Sequence, residues 1–130
     1  MFDAYRRFYG QPSGPREAER YLRARLARRE SKLFMAIMGP ACVGFVQLYP
    51  TFSSISMKRL WILNDLFVIP KARRRGAAEA LLERARRLAV ETRAEGLVLE
   101  TAIGNSAAQR LYEKLGWTRE KQFFRYNLDT

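Results

Sequence analysis

With 130 residues, 48% of them hydrophobic and 28% charged, the chain is long enough for one core-bearing domain over residues 1–130 and too apolar to be disordered. A net charge of +11, from 24 Lys plus Arg against 13 Asp plus Glu, favours polyanionic partners (nucleic acid, an anionic membrane surface, a phosphorylated cofactor) and disfavours polyamines. Cys42 is the one cysteine and there is no histidine, which excludes an internal disulfide and Ser–His or Cys–His catalysis and argues against zinc; no metal is expected.

The N-terminus, Met1 to Arg7, lacks signal-peptide architecture, and no apolar run approaches the roughly 18 residues of a membrane span, so a cytoplasmic protein without membrane attachment is expected. Phe2, Tyr5, Phe8 and Tyr9 recur at helical spacing before Gly10, a helix and its C-cap. Pro15 suits the first turn of a second helix running to about Arg29. Ala18, Tyr21, Leu22, Arg25 and Leu26 share one of its faces, and Arg16, Arg20, Arg23, Arg28 and Arg29 another, either a solvated face or an anion-binding one. Lys32 to Met38 and Ala41 to Tyr49 read as strands around a Gly39-Pro40 hairpin, with Cys42 as a small buried strand residue and Tyr49 to Ser54 as a loop. Leu60 to Val68 is a third strand.

A long amphipathic helix is predicted over Ala77 to Ala94, with Ala78, Leu81, Leu82, Ala85, Leu88 and Ala89 inward, a Glu83–Arg87 pair and Gly96 as its stop. A buried strand over Leu97 to Thr101, a helix over Ser106 to Leu115 stopped by Gly116, and a strand over Phe123 to Leu128 complete the order. The fold class is therefore α/β: a mixed sheet flanked by helices, with a βαβ crossover formed by the third strand, the long helix and the fourth strand.

The stretch from Val68 to Ala78 carries most of the functional information. An apolar strand stops at Pro70, and Lys71, Arg73, Arg74 and Arg75 follow before Gly76, Ala77 and Ala78 open the long helix. A cationic, glycine-containing turn at a helix N-terminus suits a phosphate group, because the first N–H groups lack intrahelical partners and lie at the positive end of the dipole. Neither G-x-x-x-x-G-K-S/T nor G-x-G-x-x-G is present, so the phosphate is not held by either common nucleotide motif.

Arg73-x-x-Gly76-x-Ala78, preceded by Val68-x-Pro70, resembles the coenzyme A signature of the GNAT N-acetyltransferase superfamily. Asn105-x-x-Ala108-x-x-x-Tyr112-x-x-x-Gly116-Trp117 resembles the family's motif after the fifth strand. The resemblance covers residues 2 to 128. It implies a GNAT-like, largely antiparallel sheet splayed around acetyl-CoA, and transfer of the acetyl group to a primary amine of a small molecule or peptide by direct attack in a ternary complex. Acetyl-CoA would be held by the turn Arg73, Arg74, Arg75, Gly76, Ala77 and Ala78, by main-chain groups of Leu66, Phe67 and Val68, and by Asn105. Arg74 and Ala78 stand where relatives often have glycine, so Arg74 crowds the turn.

By the same resemblance Tyr112 is the general acid that protonates the departing thiolate, its alternative being a core tyrosine; Asn105 serves the pantetheine, the N-cap of its helix, or both. Asp65 is the one acid in an otherwise apolar strand. It is either the general base or a structural acceptor, with Glu30 and Glu100 as weaker candidates for the base. Spermidine/spermine-like relatives carry Glu-Asp where this chain has Asn64-Asp65, which leaves the base open. Tyr5, Phe8, Tyr9 and Phe52 line an acceptor pocket or belong to the core. GNAT chains open with a strand, whereas this one opens inside the first helix. Either a partner subunit covers the exposed strand edge in a homodimer, or the natural chain begins before Met1. Two readings from other classes stand beside the enzyme: an acyl-CoA sensor without catalysis, and a nucleic-acid-binding module built on the basic 16–32 segment, the latter weakened by the lack of base-stacking aromatics.

Overall fold

The short helix α1 (Phe2–Phe8) and the helix α2 (Pro15–Ala27) are joined by a turn whose two ends are held by one side chain. Asp3, in the first turn of α1, accepts from the Gly14 N–H through Oδ1 at 2.7 Å and from the Ser13 hydroxyl through Oδ2 at 2.9 Å. It also faces Arg7 Nε at 3.3 Å. The Gly14 hydrogen bond, ahead of the Ser13 bond and the Arg7 and Arg6 charges, holds the Asp3 carboxyl below its ordinary value. The structure, a computed structural model, describes residues 1–130.

A four-stranded sheet in the order β1-β2-β3-β4 follows, built from β1 (Lys32–Met38), β2 (Ala41–Ser53), β3 (Lys58–Val68) and β4 (Gly96–Val98). The first three strands are antiparallel neighbours, and β3 and β4 are parallel through the helix α3 (Ala77–Glu91). The expected mixed α/β sheet and its crossover are therefore present. Alternation explains the packing: Phe45 and Phe67 form a cross-strand pair against the rings of α1, with Tyr5 edge-on to Phe45 at 5.5 Å. Leu81, Leu82, Ala85, Leu88 and Ala89 recur at three- and four-residue spacing and bury one stripe of α3, largely as predicted. No helix is long and apolar enough to cross a membrane.

Several local expectations need correction. Residues 49–53 are not a loop, because β2 continues to Ser53 opposite Lys58. Pro50 is tolerated there since β1 pairs with β2 only as far as Leu48, so no neighbour on that side needs its missing N–H. The helix α3 ends at Glu91, capped at Thr92 with Arg93 in a left-handed conformation, and Gly96 instead opens β4. The Thr92 hydroxyl explains the early stop: it donates to the Leu88 carbonyl at 2.7 Å and accepts from Trp61 Nε1 at 2.9 Å, tying helix to sheet. Glu83 meets Arg86, one residue short of the expected partner. Cys42 is half-buried, with its thiol directed at the Gly44 carbonyl.

The chain forms two units, Met1–Glu100 and Thr101–Thr130. The second contains α4 (Ser106–Lys114) as its one regular element. Residues 123–128 are not a strand: Phe123, Phe124, Tyr126 and Leu128 are exposed, because a β-prone sequence needs a ladder and this unit supplies no strand to pair with. β4 stops at Val98, three residues short of the predicted end at Thr101, and it is not a buried strand, since Val98 is exposed.

Candidate functional site

At the carboxyl end of β3 the chain turns through a 3₁₀ segment (Pro70–Ala72) and two left-handed residues before α3 begins. Gly76, the N-cap of α3, has φ +84°, a conformation that glycine adopts without the penalty of a Cβ. Arg74 has φ +62°, which costs a non-glycine residue roughly 1–2 kcal/mol, in keeping with the expectation that it crowds the turn. Buried Ala72 and Ala77 let the turn lie against the sheet, while Lys71, Arg74 and Arg75 stay exposed. Arg73 behaves differently from its neighbours. Its Nε donates to the Val68 carbonyl at 2.9 Å, and its guanidinium lies 5.6 Å from the Phe8 ring and 5.7 Å from the Phe67 ring. It ties α1, β3 and the turn together, so what faces a ligand here is the α3 N-terminus with its remaining cations.

On its side away from β2, β3 is paired only over Leu60–Ile62, opposite Gly96–Val98. β4 ends at Val98, so residues 63–68, including Leu66, Phe67 and Val68, have no strand paired with them on that side. Of these three, Val68 has its carbonyl engaged by Arg73. An open strand edge leading into a glycine-capped helix start suits a long ligand with an amide-bearing arm and a pyrophosphate end. Coenzyme A has that form.

The register of β3 against β2 shifts between Gln47 and Leu48, which pair with Asp65 and Leu63 and leave Asn64 as an extra residue. Such a bulge re-aims the side chains beside it. Asp65 is thereby placed directly across from Gln47, on the face toward α1 and α2. It is 5% exposed and forms no ion pair in a chain with 24 cations. Two neutral amides donate to it, Gln47 Nε2 to Oδ2 at 2.8 Å and Asn64 Nδ2 to Oδ1 at 3.1 Å, and the Tyr5 phenol also interacts with it.

Asp65 lines a cavity of about 440 Å³ with Phe2, Tyr5, Arg6, Glu17, Ala18, Tyr21, Tyr49 and Asn64. Burial, followed by the Asp65 charge and a hydrogen bond to it, pushes the Tyr5 phenol well above the ordinary tyrosine range. Burial, followed by the hydrogen bond with Tyr21, does the same to Tyr49, whose hydroxyl is 2.7 Å from that of Tyr21. Both phenols are therefore neutral donors at physiological pH. The carboxylate thus sits among aromatic rings, with Arg6 and Glu17 as the other charged residues of the lining.

Of the four aromatics expected at an acceptor pocket, only Tyr5 lines this cavity. Phe8 lies against Arg73 and Phe67, Tyr9 is exposed, and Phe52 is exposed with Arg59 stacked over it at 5.2 Å. Phe2, Glu17, Tyr21, Tyr49 and Asn64 were not expected there. Their signal was present in part: Phe2 shares a helical face with Tyr5, and Tyr21 shares one with buried Ala18. Glu30 pairs with Arg25 at 2.9 Å, and neither Glu30 nor Glu100 lines the cavity.

In the second unit Asn105 caps α4, its Oδ1 accepting from the Ala108 N–H at 3.3 Å. The far end of α4 is a Schellman turn in which Gly116 (φ +93°) donates to the Glu113 carbonyl and Trp117 to the Tyr112 carbonyl at 3.0 Å. The Tyr112 and Trp117 rings lie 6.0 Å apart, the apolar contact that accompanies such a turn. The spacing Tyr112-x-x-x-Gly116-Trp117 is thus a helix-stop signal that also fixes the tyrosine.

Residues 1–117 match the model of the acetyltransferase (GNAT) family. The chain belongs to that family. It is 46% identical over 129 residues to an uncharacterized N-acetyltransferase of Bacillus subtilis (strain 168), YhfO, covering 99% of this chain and 87% of that one. N-alpha-acetyltransferase 30 of Xenopus laevis is 38% identical over 96 residues, which span 74% of this chain and 35% of its own. Among solved structures, a probable acetyltransferase superposes with a TM-score of 0.93 at 41% identity, over 99% of this chain and 87% of that one. The protein is an acyltransferase of the GNAT fold.

Proposed function

We propose that this acyltransferase moves an acetyl group from acetyl-CoA to a primary amine, by direct attack within a ternary complex. The observation that carries the reading is Asp65. It is a buried carboxylate without a cation, on the wall of an aromatic cavity, and it precedes Leu66–Val68 on the same strand. A strand rises about 3.4 Å per residue, so the amine site and the donor edge lie within roughly 10 Å along β3. The family match runs from 1 to 117, across the boundary between the two units, which supports one acetyltransferase domain over 1–130.

Acetyl-CoA, when bound, supplies an activated acetyl thioester. The chain's own residues do the rest. The start of α3 and the cations around Gly76 hold the pyrophosphate, with Asn105 on the pantetheine arm, and main-chain groups of residues 66–68 orient the thioester carbonyl. Asp65 takes a proton from the entering ammonium, since a protonated amine has no lone pair with which to attack. Tyr112 delivers a proton to the departing sulfur. The half-buried thiol of Cys42 has no histidine to activate it, which favours direct transfer over an acetyl-enzyme.

The likeness to an N-alpha-acetyltransferase supports peptide N-termini as acceptors alongside small amines. The outer edge of β1 bears no strand and exposes Met35 and Ile37, which supports pairing of two copies there in the cytoplasm. The test is release of free thiol from acetyl-CoA with small primary amines, aminoglycosides, and peptides carrying free N-termini or lysines. Transfer to at least one amine is expected. Tight binding of acetyl-CoA with no transfer to any of them would overturn catalysis and leave a sensor.

A further inference from the structure

Gln47 is fully buried in the central strand, where leucine or methionine would fill the same volume without a polar group. Its carboxamide makes one contact, Nε2 to Asp65 Oδ2 at 2.8 Å, and its Oε1 is buried without a partner. An orphaned buried acceptor is expensive, so the residue needs a reason beyond packing. The bulge beside it supplies one by setting Gln47 directly across from Asp65 on the cavity face.

We propose that Gln47 is the positioning residue of the amine site, a reading that rests on Asp65 as the base. In the resting state the Gln47 N–H donates to the carboxylate and fixes the Oδ2 side, while Asn64 holds Oδ1. When an ammonium enters, its N–H bond breaks, the proton moves to an Asp65 oxygen, and the nitrogen keeps the electron pair. The new O–H then needs an acceptor. A half-turn of the carboxamide presents Oε1, the atom that has no partner in the carboxylate state. One side chain thus serves both forms of the base, and no ion pair ties up the carboxylate, although Arg6 lines the same cavity. Hydrophobic residues of the same size offer neither contact. Glutamate offers a second charge.

The titratable and charged groups lining the cavity with Asp65 are Tyr5 and Arg6 from α1, Glu17 and Tyr21 from α2, and Tyr49 from β2. Both Tyr5 and Tyr49 are held in the neutral form.

The test compares Gln47→Met, Gln47→Glu and Asp65→Asn with the wild type, first by ¹³C NMR of protein labelled at aspartate. Only Asp3, Asp65 and Asp129 contribute, and the Asp65→Asn variant identifies the Asp65 signal. In Gln47→Met the pH response of that signal is expected to move to higher pH than in the wild type, because the donor that favours the charged form is gone. In Gln47→Glu it is expected to move further, as two carboxylates face each other. With acetyl-CoA and the best amine of the panel, Gln47→Met is expected to lose about ten- to a hundredfold in kcat with an unchanged KM for acetyl-CoA. An unshifted Asp65 signal in the folded Gln47→Met protein, or in Gln47→Glu if the first does not fold, would overturn the proposal. Should Asp65→Asn keep full activity, the base reading itself falls and this inference with it. An inactive Asp65→Asn beside a Gln47→Met protein of wild-type kcat overturns the positioning role alone.

Discussion

Replacing Asp65 by asparagine removes one charge and keeps the shape, and the structure sets what each part of the molecule should then do. Stability changes little. The variant loses charge-assisted contacts with Gln47 and Asn64, at 2.8 and 3.1 Å, but also sheds the cost of a buried charge, and the Gln47 carboxamide can turn to keep its contact. The balance is within about 2 kcal/mol, or roughly 7 °C in Tm for a chain of this length. Catalysis changes much more. At pH 7 an amine with an ordinary value near 10.4 is about one part in 2,500 unprotonated, whereas a peptide α-amine near 7.8 is about one part in seven. Loss of the base should therefore lower kcat/KM by about 10²–10⁴-fold, more for the more basic amine. The deficit should narrow as pH approaches the amine's own value. Thiol release from pH 6.5 to 9.5 with one acceptor of each kind measures both trends. A folded variant within about threefold of wild type at pH 6.5 would refute the role of Asp65.

Three further outcomes are expected. Tyr112→Phe should lose about 10²-fold or more in kcat with acetyl-CoA binding retained, and undiminished turnover would exclude the phenol as the acid. Arg74→Gly should remove the strain of φ +62°, partly offset by the freedom glycine adds to the unfolded chain. A net gain of about 0.5–1 kcal/mol, or roughly 2–4 °C in Tm, is expected, and a lower Tm would contradict the conformational argument. Asp3 has a folded-state value below its ordinary 3.8, so its contribution is complete above that pH and is lost as pH falls through the lowered folded value. Acid melts of Asp3→Asn should lack that segment of the pH dependence. Identical acid profiles for the two proteins would remove Asp3 as the link between α1 and α2.

The turn proposed to hold the donor was legible in the sequence because every part of it is local. A strand ending at Pro70, cations crowded before Gly76 and a helix opening on alanines lie within one short stretch, as does the Tyr112–Gly116–Trp117 helix stop. Periodicity also exposed the inward stripe of α3 and the sheet-forming runs, since burial of one face imposes a pattern at a fixed spacing. The single acid in an apolar strand, Asp65, marked itself by its cost.

Tertiary structure decided the rest. Whether Phe8 or Phe2 meets the cavity depends on where α1 crosses the sheet, and both belong to the same amphipathic pattern. Gln47 gave no sign of its role, because its partner is 18 residues away and is brought opposite by a bulge. Arg73 read as a phosphate-facing cation of the Arg73-x-x-Gly76-x-Ala78 signature, whereas the fold turns it back onto Val68 beside two rings. The sequence alone determined the family, because short motifs fix local backbone geometry. The surroundings of Asp65 were decided only by the fold, which sets Gln47, Tyr5 and Tyr49 around one buried carboxylate that forms no ion pair.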